Sequence, residues 1–131
     1  MDKHISEVSA ADFDTVICPG GFSPDYYRRN AGMKKLVEEL FAANKPIAAI
    51  CHGPWMLCSC KKQSSDSSDK LVPLCHGLTV TSFVAIKDDL ENAGAIFVDE
   101  AIVNDHKVIT SRTPKDLTLF CHEIIAELSK D

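Results

Sequence analysis

The residues best suited to chemistry lie in Lys45-Pro-Ile-Ala-Ala-Ile-Cys-His-Gly-Pro54, an apolar run that stops at a cysteine, a histidine, a glycine and a proline. A thiolate is a competent nucleophile at neutral pH, and an imidazole beside it can move its proton. Cys51 and His52 are therefore candidate catalytic residues, and Gly53 is a candidate substrate-side position where the chain turns. Neighbours in sequence often point apart, so the pairing has to be made by the backbone between them. A small buried cysteine at a strand end is the other reading of the same letters.

The elements that must position this thiol are legible in the same run. Pro46 to Ile50 carries small and β-branched apolar residues on both faces, which suits a central parallel strand covered on both sides. Gly53 and Pro54 mark a sharp change of direction, and Trp55, Met56 and Leu57 can begin a helix with proline in its first turn. Strand, tight turn and helix together have the form of a nucleophile elbow, with cysteine in place of serine. A thiol near a helix N-terminus is expected to ionise below the free-thiol value of about 8.5.

Upstream, Thr15 to Cys18 reads as a strand ending at Pro19-Gly20-Gly21. Loops at the carboxyl ends of parallel strands are where ligands bind in open α/β sheets, so Gly20 and Gly21 are candidate substrate-binding positions. The backbone N–H of Gly21, together with that of His52, can stabilise a developing oxyanion. Taken alone, Gly-Gly is better explained by a plain strand-to-helix turn. Pro24-Asp25-Tyr26-Tyr27 reads as loop, and residues 31–44 as an amphipathic helix with Met33, Leu36, Val37, Leu40 and Phe41 on its apolar face.

Beyond the elbow, Cys58 to Lys70 is rich in serine and aspartate, and residues 61–76 read as a polar surface insertion loop. Cys58, Cys60, Cys75 and His76 flank it. Their spacing is not a common zinc pattern, so free thiols and no metal are expected. Leu78 to Ser82 and Ala95 to Asp99 read as strands around a short helix, Ile86 to Asn92, closed by Gly94. Residues 101–103 and 107–110 read as a hairpin about Asn104-Asp105-His106, with His106 in the solvated turn. Thr113 and Pro114 can start a last helix whose core stripe is Leu117, Phe120, Cys121, Ile124, Ile125 and Leu128, with His122 outside it. Arg112 reads as structural.

With 131 residues, 45% of them apolar and 25% charged, the chain fits a single domain, 1–131, led by a polar segment over residues 1–12. A net charge of -5 without a basic stripe argues against nucleic acid or an anionic membrane surface as partner. No segment approaches the roughly 20 apolar residues of a membrane span, and the start lacks the apolar core of a signal peptide. A cytoplasmic protein with six reduced cysteines and no structural disulfide is expected.

Ala48-Ala-Ile-Cys-His-Gly-Pro54, with Asp14-Thr-Val-Ile-Cys-Pro-Gly-Gly21 upstream and Thr110-Ser-Arg-Thr-Pro114 downstream, resembles the ThiJ/PfpI superfamily, which includes the Parkinsonism-associated deglycase and the PfpI peptidase-like proteins. The Cys-His-Gly-Pro form looks like the PfpI branch. The resemblance implies a flavodoxin-like, three-layer α/β fold with a mainly parallel sheet and the site at the carboxyl ends of its strands. It also implies chemistry without a cofactor at Cys51 and His52, with Asp25 matching an acidic position that in the PfpI branch orients the histidine of a neighbouring subunit. A homo-oligomer follows from that role.

Members of the superfamily begin with a further strand, helix and strand, which bring an acidic residue to the nucleophile, and residues 1–12 do not supply these. An N-terminally shortened member is therefore expected, with apolar surface or an open sheet edge that another chain could cover. Three functions remain open on this reading. The first is a glyoxalase- or deglycase-like enzyme of small reactive carbonyls. The second is a PfpI-type cysteine peptidase or amide hydrolase acting on peptides. The third is a non-enzymatic thiol redox sensor or stress-related protein, or an inactive shortened homologue.

Overall fold

The computed structural model describes residues 2–66 and 68–130. Met1 of the expected lead, Ser67 of the expected insertion loop and Asp131 at the end of the expected domain lie outside the described residues.

The central sheet has four strands: β1 (Val16–Cys18), β2 (Ile47–Ile50), β7 (Ile102–Asp105) and β8 (Val108–Ser111), in the order β1-β2-β8-β7. β1, β2 and β8 run parallel, with Val16 opposite Ile47 and Ile47 opposite Val108, and β7 closes the far edge antiparallel to β8. Every residue of β2 is buried, as its two-sided apolar run requires. Ile47 and Ala49 face a core containing Val37, Leu40, Met56 and Leu57, whereas Ala48 and Ile50 face Ile109, Phe120 and Ile124. Alternate residues of one strand thus serve helices on both faces, giving the three-layer, flavodoxin-like α/β arrangement with a mainly parallel sheet.

The helices follow local signals. α1 (Ser23–Tyr27) is a short helix with Pro24 in its first turn, where a loop is expected from the sequence. α2 (Ala31–Ala42) is capped by the Asn30 side chain, which accepts from the Met33 N–H at 2.9 Å. α3 (Trp55–Ser59) follows the elbow directly. A 3₁₀ turn over Pro114–Asp116 leads into α5 (Leu117–Leu128). Thr113 has the extended backbone of a cap but makes no side-chain capping bond, so the start is set by Pro114 and by the Asp116 N–H bonding to the Thr113 carbonyl at 2.9 Å. Between β7 and β8 the two turn residues His106 and Lys107 both take positive φ, matching the twist of the flanking strands.

Three further expectations change. The serine-rich stretch contains an antiparallel ribbon, β3 (Lys61–Gln63) paired with β4 (Leu71–Pro73), because the buried Cys60 and Leu74 that flank it anchor its base, with the Leu74 N–H on the Cys60 carbonyl at 2.8 Å. The expected strands at 78–82 and 95–99 shorten to β5 (Thr79–Val80) and β6 (Ile96–Phe97), a parallel pair flanking α4 (Lys87–Asn92). Their ladder toward the main sheet is carried by side chains: the Thr79 N–H donates to Asp105 Oδ2 at 2.8 Å and the Thr81 N–H to Thr110 Oγ1 at 2.9 Å. Lastly, α5 buries Phe120 and Ile124 but leaves Leu117, Cys121, Ile125 and Leu128 exposed, so Cys121 is not core. The helix meets the sheet along a narrower stripe than its composition suggests, and Ile17 on the same sheet face is 51% exposed. No helix among the described residues is long and apolar enough to cross a membrane.

Candidate active site at the β2–α3 elbow

Cys51 follows the last residue of β2 and has φ +63, in the left-handed region that disfavours any residue with a Cβ. Strain of this kind costs on the order of 1–3 kcal/mol and persists only where the surroundings over-determine it. Both peptide groups of Cys51 are pinned. Its N–H donates to the Ser111 carbonyl at 3.0 Å, extending the β2–β8 ladder by one residue, and its carbonyl accepts from the Phe83 N–H at 2.9 Å. Meanwhile the Gly53 N–H turns back onto the Ile50 carbonyl at 2.8 Å, which forces the reversal within three residues.

The glycines make room for this turn. A Cβ on Gly53 would stand 2.2 Å from the Cys18 carbonyl oxygen and 2.8 Å from that of Ile50, so no other residue fits between β1 and the elbow. A Cβ on Gly20 would stand 2.8 Å from Cys51 Cβ and 3.3 Å from its Sγ, so the Pro19-Gly20-Gly21 loop lies directly against the sulfur. Gly21 has φ +68. Among the described residues no acceptor takes the N–H of Gly21 or of His52, so both remain available to a ligand.

The turn brings the adjacent side chains together. Cys51 Sγ lies 3.3 Å from His52 Nδ1, within hydrogen-bond reach. The imidazole is held by two aromatic rings, Trp55 edge-on at 5.4 Å and Phe83 tilted at 5.1 Å between centroids. Trp55 is itself fixed by its indole N–H donating to Asp89 Oδ2 at 2.8 Å, and the Arg28 guanidinium lies 5.2 Å over its ring. Phe83 also borders a cavity of about 510 Å³ that Lys87, Phe97 and Arg112 help to line. Phe83 carried no signal in the sequence, and Ser111 entered only as part of the Thr110–Pro114 motif, without a role. Phe83 acts through its backbone and its ring, and Ser111 through a carbonyl, neither of which is a residue-type signature.

Cys51, His52, Gly20 and Gly53 are thus assembled in one place. Asp25 is not among them within this chain: it is exposed on α1 and its carboxylate pairs with Arg29 at 3.3 Å. Arg112 spans Asp99 at 3.0 Å and Asp116 at 2.9 Å, which fits a structural role, and its guanidinium holds the Asp116 carboxyl below the usual carboxylate range. All six cysteines are free thiols. Burial pushes the Cys18 and Cys60 thiols up to about 12, so neither is a nucleophile in the folded chain. Cys60 donates to the Lys34 carbonyl at 3.7 Å and the His76 ring packs on Gly94, so these two side chains do not converge with Cys58 and Cys75. No group of three or more metal-ligating side chains exists among the described residues.

Residues 1–127 match the DJ-1/PfpI family. The chain belongs to that family. A Bacillus subtilis protein of the family, "Putative cysteine protease YraA", is 39% identical over 123 residues, covering 94% of this chain and 66% of its own length. General stress protein 18 of the same organism is 37% identical over 131 residues, covering 99% of this chain and 69% of its own length. The chain therefore spans about two thirds of the length of these DJ-1/PfpI relatives. Among solved structures, a two-domain Anabaena variabilis protein with DJ-1/ThiJ/PfpI-like and ferritin-like domains superposes with a TM-score of 0.82 at 40% identity, over 95% of this chain and 32% of that one. Drosophila melanogaster DJ-1beta superposes with a TM-score of 0.79 at 28% identity, over 97% of this chain and 62% of that one.

Proposed function

We propose that this chain carries a cysteine enzyme site for small reactive carbonyls, of the glyoxalase or deglycase kind, with Cys51 as nucleophile and His52 as proton carrier. The observation that carries the reading is the 3.3 Å contact of Cys51 Sγ with His52 Nδ1 on a backbone strained at φ +63 beside the Gly20 loop. With methylglyoxal, the Cys51 thiol would transfer its proton to His52 as sulfur attacks the aldehyde carbon, and the carbonyl oxygen would take a proton to leave a hemithioacetal. The N–H groups of Gly21 and His52 are the available donors for the oxyanion that forms on the way. His52 would next carry the proton from the former aldehyde carbon toward the neighbouring carbonyl carbon, giving a thioester, and water would release lactate and restore the thiol. The net change is methylglyoxal plus water to lactate plus a proton, with no oxidant or cofactor. Lactate formation by the purified chain, lost in Cys51→Ala, is the expected result; equal rates in the two would remove the reading.

The name of the 39% identical relative favours a second reading, amide hydrolysis of peptides by the same thiol and imidazole. Asp25 would then orient His52 from a second copy of the chain, which its exposed position on α1 permits. Peptide hydrolysis by a chain that sizes as a monomer would rule out the shared arrangement.

A further inference from the structure

Each N–H offered to an oxyanion at the elbow belongs to a peptide unit whose other end is a carbonyl, and in a planar trans peptide the two point in opposite directions. Holding the carbonyl therefore aims the N–H. For His52 the unit begins at the Cys51 carbonyl, which the Phe83 N–H holds at 2.9 Å. For Gly21 it begins at the Gly20 carbonyl, and there the holder is a side chain: the Ser23 hydroxyl donates to it at 2.7 Å.

The second unit needs its restraint more. Glycine stands on both sides of it, and glycine crosses between backbone regions at little cost, so an unheld unit could flip and carry the N–H away. One unit earlier, the Pro19 carbonyl accepts from the Tyr27 hydroxyl at 2.7 Å, which fixes the side from which Gly20 departs. Burial pushes the Tyr27 phenol well up, so it stays protonated and remains a donor. Both hydroxyls come from α1, and α1 is tied to the elbow helix. Arg28 Nε donates to Ser59 Oγ on α3 at 2.8 Å, and its guanidinium lies over the Trp55 ring. The loop is thus fixed relative to the Cys51 sulfur, which a Cβ on Gly20 would approach to 3.3 Å.

We propose that Ser23 and Tyr27 are positioning residues of the elbow, two hydroxyls on α1 that clamp the Pro19-Gly20-Gly21 loop so that the Gly21 N–H meets the oxyanion formed when Cys51 attacks a carbonyl. The proposal rests on the reading of Cys51 as a nucleophile at a carbonyl, whichever substrate carries it. Neither hydroxyl touches the substrate; each acts through a loop carbonyl. Losing one oxyanion donor outright costs about 10²–10³ in rate, so a donor that is present but free to turn should cost several-fold, short of that limit.

The test compares two reactions of Cys51 at neutral pH, each followed by peptide mass spectrometry. Iodoacetamide alkylates the sulfur by displacement of iodide, with no oxyanion on the way. p-Nitrophenyl acetate acetylates it: the thiolate adds to the ester carbonyl, the oxyanion forms, and the C–O bond breaks as p-nitrophenolate leaves a thioester behind. Thiolate content and access weigh on both reactions, and the oxyanion donors on the second alone. In Ser23→Ala and in Tyr27→Phe, acetylation should fall several-fold, and further in the double variant, while alkylation keeps its rate. Ser23→Thr keeps a hydroxyl and should acetylate like the unsubstituted chain, so the Ala and Thr variants at Ser23 decide alone if Tyr27→Phe does not fold. An equal fall in both reactions would make the hydroxyls supports of the turn, and unchanged acetylation would show the loop aimed without them; either result overturns the proposal. A Cys51 that alkylates but takes no acetyl group overturns it as well. Lactate formation is read separately: acetylation that depends on these hydroxyls, with no lactate made from methylglyoxal, removes the glyoxalase reading and leaves this one standing.

Discussion

The two ends of α3 hold sulfur in contrasting company. At its start, Cys51 sits on a strained turn with an imidazole 3.3 Å away and a glycine loop against it. Near its end, Cys58 lies on regular helix with only main-chain carbonyls as partners among the described residues, Pro54 at 4.0 Å and Asp89 at 3.8 Å. The functional group is the same; the backbone and the neighbour decide the chemistry. An imidazole can take a proton away and return it, which suits turnover at a carbonyl. A main-chain carbonyl can only accept a weak hydrogen bond from the thiol and offers no base, which suits packing.

The difference can be broken most severely at the elbow itself. Cys51→Ala should reduce lactate formation from methylglyoxal to the uncatalysed background, whereas Cys58→Ser should leave it within about twofold, as expected of a substitution that removes no transition-state contact. Gly53→Ala comes next, since its Cβ would enter space 2.2 Å from the Cys18 carbonyl oxygen. Overpacking of this kind costs about 1–3 kcal/mol or more, so a lower melting temperature and loss of Cys51 reactivity are expected together. The Cβ of Gly20→Ala would stand 2.8 Å from Cys51 Cβ, which moves only with its backbone, and 3.2 Å from the Ile50 carbonyl oxygen, so it should lower the melting temperature less than Gly53→Ala while still slowing Cys51 alkylation. Phe83→Ala should loosen the His52 ring, lowering turnover several-fold while leaving the alkylation rate of Cys58 unchanged, because its ring packs on the imidazole of the elbow. The smallest effect concerns neither thiol. The Asp116 carboxyl is held low by Arg112, so the pair stabilises the fold above the unfolded carboxylate value of about 3.9 and that contribution is lost as pH falls through the lower folded value. Thermal melts of Asp116→Asn and the unsubstituted chain should differ at pH 7 and converge in strong acid.

The elbow was legible because its chemistry is written in consecutive letters. A strand buried on both faces, a reactive pair and a Gly-Pro turn each have a residue-type signature, and together they placed Cys51 and His52 before any coordinates. The contact between those two side chains was not legible, since it depends on φ at Cys51, which in turn depends on Ser111 and Phe83 far away in sequence. The β3–β4 ribbon was missed for a related reason: its strands are three residues each, and only tertiary anchoring at Cys60 and Leu74 makes them pair. On α5 the sequence shows a broad apolar stripe, but how much of it is covered depends on what packs beside it. Cys121 belongs to the flank that the described residues leave open.

The most direct test is native alkylation at neutral pH with iodoacetamide, with mass spectrometry following each cysteine separately. Cys121 is exposed and serves as the internal reference for an ordinary thiol, while Cys18 and Cys60 mark the buried limit. Labelling of Cys51 ahead of Cys121, falling to the Cys121 rate or below in His52→Ala, is what an imidazole-assisted nucleophile at the elbow requires. Labelling of Cys121 first, with Cys51 as slow as Cys18 and Cys60, would contradict it and leave Cys51 as a small buried residue at the end of a strand.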